Sequence, residues 1–177
     1  PVSSAANFAR NVPVFRGLDP REKLERYERN LPHWRQEGAT YFVTFRLADS
    51  LPQSKLTRLK SLREALEEKI KANPAMSREE RDKLWTDYAK LSLQKTETWL
   101  DSGMGTCLLE ETENRRAVRE AFRFFDSNRH ETGACVIMPN HVHALLRPLA
   151  GFSLERILHS IKRESSRQIN ARVGMSG

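Results

Sequence analysis

The 177-residue chain carries 30 Lys and Arg against 23 Asp and Glu, a formal charge of +7, with 38% hydrophobic residues and two cysteines. No apolar run approaches the ~20 residues that span a bilayer, and Cys107 and Cys135 stand far apart with no Cys-x-x-Cys partner. Together these exclude a membrane-spanning helix, a disulfide framework and a zinc knuckle. The length suits one domain with a real core, and the basic excess favours a polyanionic partner.

Residues 1–30 hold few apolar positions and mixed charges, and read as a loosely ordered lead-in with one helix around Pro20 to Arg29. Thr40 to Leu47 is rich in β-branched and aromatic residues and predicts a strand, with Tyr41, Val43 and Phe45 on one face and Phe42, Thr44 and Arg46 on the other. Ser54 to Leu100 then turns densely charged with apolar residues at helical spacing, broken at Asn73-Pro74. This predicts an inserted helical hairpin over 54–100, with Leu59, Leu62, Leu66 and Ile70 packing against Leu84, Tyr88, Leu91 and Trp99.

A Gly-punctuated connection (101–105) leads to a short apolar piece, Thr106 to Leu109, and then to a helix over Asn114 to Asn128 with Val118, Ala121, Phe122 and Phe125 as its buried stripe. Two apolar strands follow, Ala134 to Met138 and Val142 to Leu146, joined by a Pro-Asn turn, with Cys135 expected in the core. A last helix starts after Ser153, whose hydroxyl suits an N-cap, and lays down Leu154, Ile157, Leu158 and Ile161 as a core stripe. The order of elements predicts an α+β fold with helices packed on an antiparallel sheet.

The chemistry concentrates in Met138-Pro139-Asn140-His141-Val142-His143. Alternation along a strand sends both imidazoles to one face and Val142 into the core, giving a rigid two-point grip for a divalent metal. Two ligands leave coordination positions for another side chain, water or substrate, as a catalytic metal requires. From Ala134 to Gly177 six basic residues (Arg147, Arg156, Lys162, Arg163, Arg167, Arg172) face only Glu155 and Glu164, so positive charge gathers in the same part of the chain. His33, His130 and His159 have no partner at ligand spacing and read as surface or packing residues.

The strings ACVIMPNHVHALLRP and SLERILHSIKRESSRQIN, with LPHWRQEGATYFVTFRLADSLP and LDSGMGTCLL upstream, resemble the single-tyrosine HUH transposase family and its REP-associated branch. The resemblance covers most of Leu31 to Asn170. It implies a domain over 31–177, a ferredoxin-like or RRM-like antiparallel sheet with helices on one face, and a magnesium or manganese ion on His141 and His143. It also implies attack by a tyrosine on a phosphate of single-stranded or hairpin DNA, leaving a 5′-phosphotyrosine link and a free 3′-hydroxyl.

Arg46, Arg147, Arg156, Lys162, Arg163 and Arg167 are the candidate DNA contacts, and Asn140 holds the turn or supports the metal. The family's nucleophile lies on a helix expected beyond Gly177, and Tyr27, Tyr41 and Tyr88 match none of its context, so the chain reads as a fragment without its catalytic tyrosine. DNA is the expected partner, a homodimer is compatible, and the cytoplasm is the expected location. Two alternatives stay open: a DNA-hairpin-binding protein that does not cut, and a different His-x-His metal hydrolase.

Overall fold

The structure, a computed structural model, describes residues 15–28 and 32–175. In chain order the elements are β1 (Glu25–Glu28), β2 (Pro32–Arg35), β3 (Tyr41–Arg46), α1 (Gln53–Lys71), α2 (Arg78–Asp101), a 3-10 turn (Leu108–Glu110), α3 (Thr112–Phe124), β4 (His130–Ile137), β5 (His141–Pro148) and α4 (Leu154–Val173). β1 and β2 form a small antiparallel ribbon. The main sheet is antiparallel in the order β3-β5-β4, which puts the strand bearing both histidines in the centre.

The register sets what faces what. Val43 lies opposite Ala144, Phe45 opposite Val142 and Tyr41 opposite Leu146. These residues join Val118, Ala121 and Phe122 of α3 and Ile157, Ile161 and Ile169 of α4 in one apolar core. α3 and α4 thus cover one face of the sheet, and the expected α+β class holds. The other face carries Phe42, Thr44 and Arg46 from β3 and His141, His143, Leu145 and Arg147 from β5, as alternation requires.

The helical hairpin is present, with α1 and α2 turning through residues 72–77. α2 opens on a capping box: the Ser77 hydroxyl accepts from Glu80 N–H, and the Glu80 carboxylate accepts from Ser77 N–H. Leu91, expected in the seam between the helices, is 41% exposed, since two helices packed only on each other shield a narrow strip. Among the described residues no helix is long and apolar enough to cross a membrane.

Two further expectations fail. The helix anticipated from Pro20 to Arg29 is a turn followed by β1, because Glu25–Glu28 finds a pairing partner in β2 that a local reading does not reveal. Residues 1–14 and 29–30 of the expected lead-in lie outside the described residues. Cys135, expected in the core, is exposed, because β4 is a sheet edge and a cavity separates it from α3.

Candidate metal centre

β5 delivers His141 and His143 to the open sheet face, and the last turns of α2 come down onto them. Glu97 and Asp101, one helical turn apart, point at the pair: His143 Nε2 lies 3.5 Å from Glu97 Oε2 and His141 Nε2 lies 3.8 Å from Asp101 Oδ1. His141 is fully buried, and His143 retains a fifth of its side-chain exposure. The exposed Phe42 ring stacks on His143, with centroids 5.4 Å apart.

Asn140 fixes both the helix and a ring. Its Nδ2 donates to Leu100 O at 3.1 Å and to Met104 O at 2.9 Å, which uses both amide hydrogens. Oδ1 is therefore the acceptor in the 2.7 Å contact with His141 Nδ1, so Nδ1 carries the proton and Nε2 keeps a lone pair. The turn is braced further by Leu47 N–H donating to Asn140 O and Leu109 N–H donating to Pro139 O.

Thr44 plays the matching part for the second ring. Its hydroxyl lies 3.3 Å from Glu97 Oε1 and 2.9 Å from His143 Nδ1. A hydroxyl that donates to the carboxylate accepts from Nδ1–H, which leaves His143 Nε2 as a lone pair too. The two Nε2 atoms are 2.9 Å apart, so two lone pairs converge where a cation, but not bare vacuum, satisfies them.

Adjacent ligands on a six-coordinate ion with bonds of about 2.1 Å stand about 3.0 Å apart, close to the observed separation. With Glu97 the pair forms a group whose ligand atoms all lie within 4.8 Å of one another. The residues present thus fit a divalent ion held by two imidazoles and a carboxylate. Burial, the first cause, and the neighbouring His143 charge hold the His141 imidazole below its ordinary value against the pull of Asp101 and Glu97, which keeps a neutral ligand available.

The candidate DNA contacts scatter around this centre. Arg46 shares its face but turns its guanidinium onto Leu47 O, Ala48 O and Ser50 Oγ. Arg147, on the same face two positions beyond Leu145, pairs with Glu131. Lys162 lies on the other side of the sheet, 5.5 Å over the Phe45 ring and lining a cavity of about 660 Å³ beneath Val142, and burial lowers its pKa. Arg163 and Arg167 lie farther out along α4, in a hollow between α3 and α4, with Arg167 paired to Glu164. Arg156 is exposed on the first turns of α4.

Sequence reasoning missed Glu97, Asp101 and Thr44. The i, i+4 acids ending α2 were the available signal, but nothing local reveals that this end of the arm docks on the histidine strand. Tyr41, on the core face, bonds through its hydroxyl to Gln36 N and O, and Tyr88 packs edge-on against Trp85 in the hairpin. Neither reaches the imidazoles, and the Tyr27 and His33 side chains lie outside the described residues.

Searches of curated proteins and of solved structures returned no match. Residues 108–175 match the model of a family described as "Transposase IS200 like", a segment that includes Asn140, His141 and His143 but stops short of Thr44, Glu97 and Asp101. The match covers less than half of the chain and shows a similarity of this segment to that transposase family.

Proposed function

We propose that this chain is the metal-binding and DNA-binding body of a HUH-type transposase that cuts and rejoins single-stranded or hairpin DNA, with residues 31–177 as its domain. The observation that carries this is the convergence of two Nε2 atoms at 2.9 Å with Glu97 beside them, inside a chain whose matched segment is transposase-like. His141, His143 and Glu97 would hold a magnesium or manganese ion, and Asn140 and Thr44 orient the two rings. When bound, the ion supplies charge neutralisation at a scissile phosphate.

The chain's own residues then do the positioning. α2 places one carboxylate near each imidazole, and Phe42 offers an exposed aromatic face beside His143 on which a base can stack. The cleavage step is attack of a tyrosine oxygen on phosphorus, forming the phosphotyrosine bond while the bond to the 3′-oxygen breaks and that oxygen takes up a proton. The resemblance assigns this nucleophile to a helix following Gly177. Arg46, Arg147, Arg156, Lys162, Arg163 and Arg167 remain proposed DNA contacts; those on α4 lie on the face of the sheet away from the imidazoles.

Two measurements test the reading. Titration of this chain with Mn²⁺ should show one site that is lost in His141→Ala and His143→Ala and weakened in Glu97→Ala. In the product of a gene extended past Gly177, the same histidine substitutions should abolish magnesium-dependent nicking of hairpin oligonucleotides while leaving their binding. Cutting that survives both substitutions removes the mechanism, and binding without cutting in the extended wild-type protein leaves the hairpin-binding alternative.

A further inference from the structure

On the opposite side of the sheet from the imidazoles, α3 and the edge strand β4 enclose a cavity of about 480 Å³ that the metal centre does not use. Arg115, Arg119 and Arg123 line it from the helix, and Thr132, Gly133, Cys135 and Ile137 line it from the strand. The three arginines recur every fourth residue, which keeps them on one stripe with a rung about every 6 Å. That is close to the spacing of successive phosphates in an extended DNA strand.

The acids of α3 are committed elsewhere. Glu120 pairs with Arg116, and Glu113 pairs with Arg116 and Arg172. Among the described residues the Arg119 and Arg123 side chains make no hydrogen bond or ion pair, and the Arg115 side chain has only a 3.4 Å contact to Thr112 Oγ1. The single acid lining the cavity, Asp126, already accepts from Thr132 N–H through Oδ1. Three guanidinium groups against one carboxylate leave the cavity net positive, which favours an anionic occupant. The chain's own first fourteen residues do not supply one, since Arg10 is their only charged side chain.

We propose that the groove between α3 and β4 is a second DNA-contact surface, in which Arg115, Arg119 and Arg123 hold successive phosphates of a single strand. The proposal rests on the DNA-processing reading above and adds to it the place where the strand runs away from the metal centre. Its position also gives it a built-in reporter. Cys135 is exposed on the groove wall, whereas Cys107 precedes the 3-10 turn outside it.

The test is fluorescence anisotropy of the 177-residue chain with a labelled single-stranded oligodeoxynucleotide of mixed sequence, over a salt series. Arg119→Gln/Arg123→Gln should weaken binding about tenfold and reduce the salt slope by about 1.4, the loss of two single-strand phosphate contacts at about 0.7 each. Lys69→Gln/Lys71→Gln, with the same charge change at the far end of α1, should leave both unchanged. Bound DNA should slow alkylation of Cys135 by N-ethylmaleimide relative to Cys107.

Equal losses in the two double variants, or none in either, overturn the groove while leaving DNA binding intact. Unlabelled duplex that displaces the strand as well as unlabelled single strand does overturns its assignment to a single strand. A wild-type chain that binds no DNA at all removes the functional reading itself.

Discussion

At the scale of single residues, the centre depends on side chains that never need to touch an ion. Asn140 spends both amide hydrogens on α2 and the following loop, so its oxygen has one task left, to set the His141 tautomer. Thr44 does the same for His143 with one hydroxyl. Replacing Thr44 with Val keeps the shape and removes that orientation. We expect Mn²⁺ affinity to fall about 10–100-fold, with the thermal midpoint little changed; unaltered affinity in calorimetry would show that the hydroxyl does not orient the ligand. The histidines were legible in the sequence because strand alternation is a local rule, whereas Thr44 and Glu97 were not, because sheet register and helix docking bring them in from 99 and 46 positions away.

At the scale of elements, the joint between the arm and the sheet is where the chain is least tolerant. Gly105 has φ +91°, and a Cβ there would stand 2.8 Å from the Asp49 carbonyl oxygen, a backbone atom that cannot swing away. Thr106 N–H donates to the Asp49 carboxylate beside it, and Met104 O accepts from Asn140 just before it. Gly105→Ala should therefore cost about 1–3 kcal/mol in urea unfolding, and weaken the metal site along with the fold. A neutral effect in urea unfolding would mean that the joint relaxes freely. The hairpin itself was legible from spacing and the Asn73-Pro74 break. The ribbon β1-β2 was not, because Glu25–Glu28 is charged and short and gains its strand character from its partner alone.

For the molecule as a whole, acid stability reports on a second buried imidazole. His130 is fully buried at the start of β4, with neither ring nitrogen in a hydrogen bond of normal geometry among the described residues. Burial lowers its pKa, outweighing the Asp126 carboxylate and the nearby Phe122 carbonyl. The unfolded imidazole takes its proton as pH falls through about 6.5, and the folded one only at lower pH. Within that window the unfolded state binds more protons, so stability is full above it and is lost as pH falls. The urea midpoint of the wild-type chain should drop between about pH 7.5 and about pH 5.5, and His130→Phe should flatten part of that slope. An identical slope in the variant would assign the acid sensitivity to other groups.

The 24 residues of α2 make a rod about 36 Å long, of which only Leu100 is buried, near the end that meets the sheet. The proposed coordination shell is in this way divided between two elements, with imidazoles on the sheet and a carboxylate on the long helix. Linkage then runs in both directions. An ion that draws Glu97 toward the rings also fixes the angle of the arm, and any load on the arm's distant tip alters how tightly the ion is held.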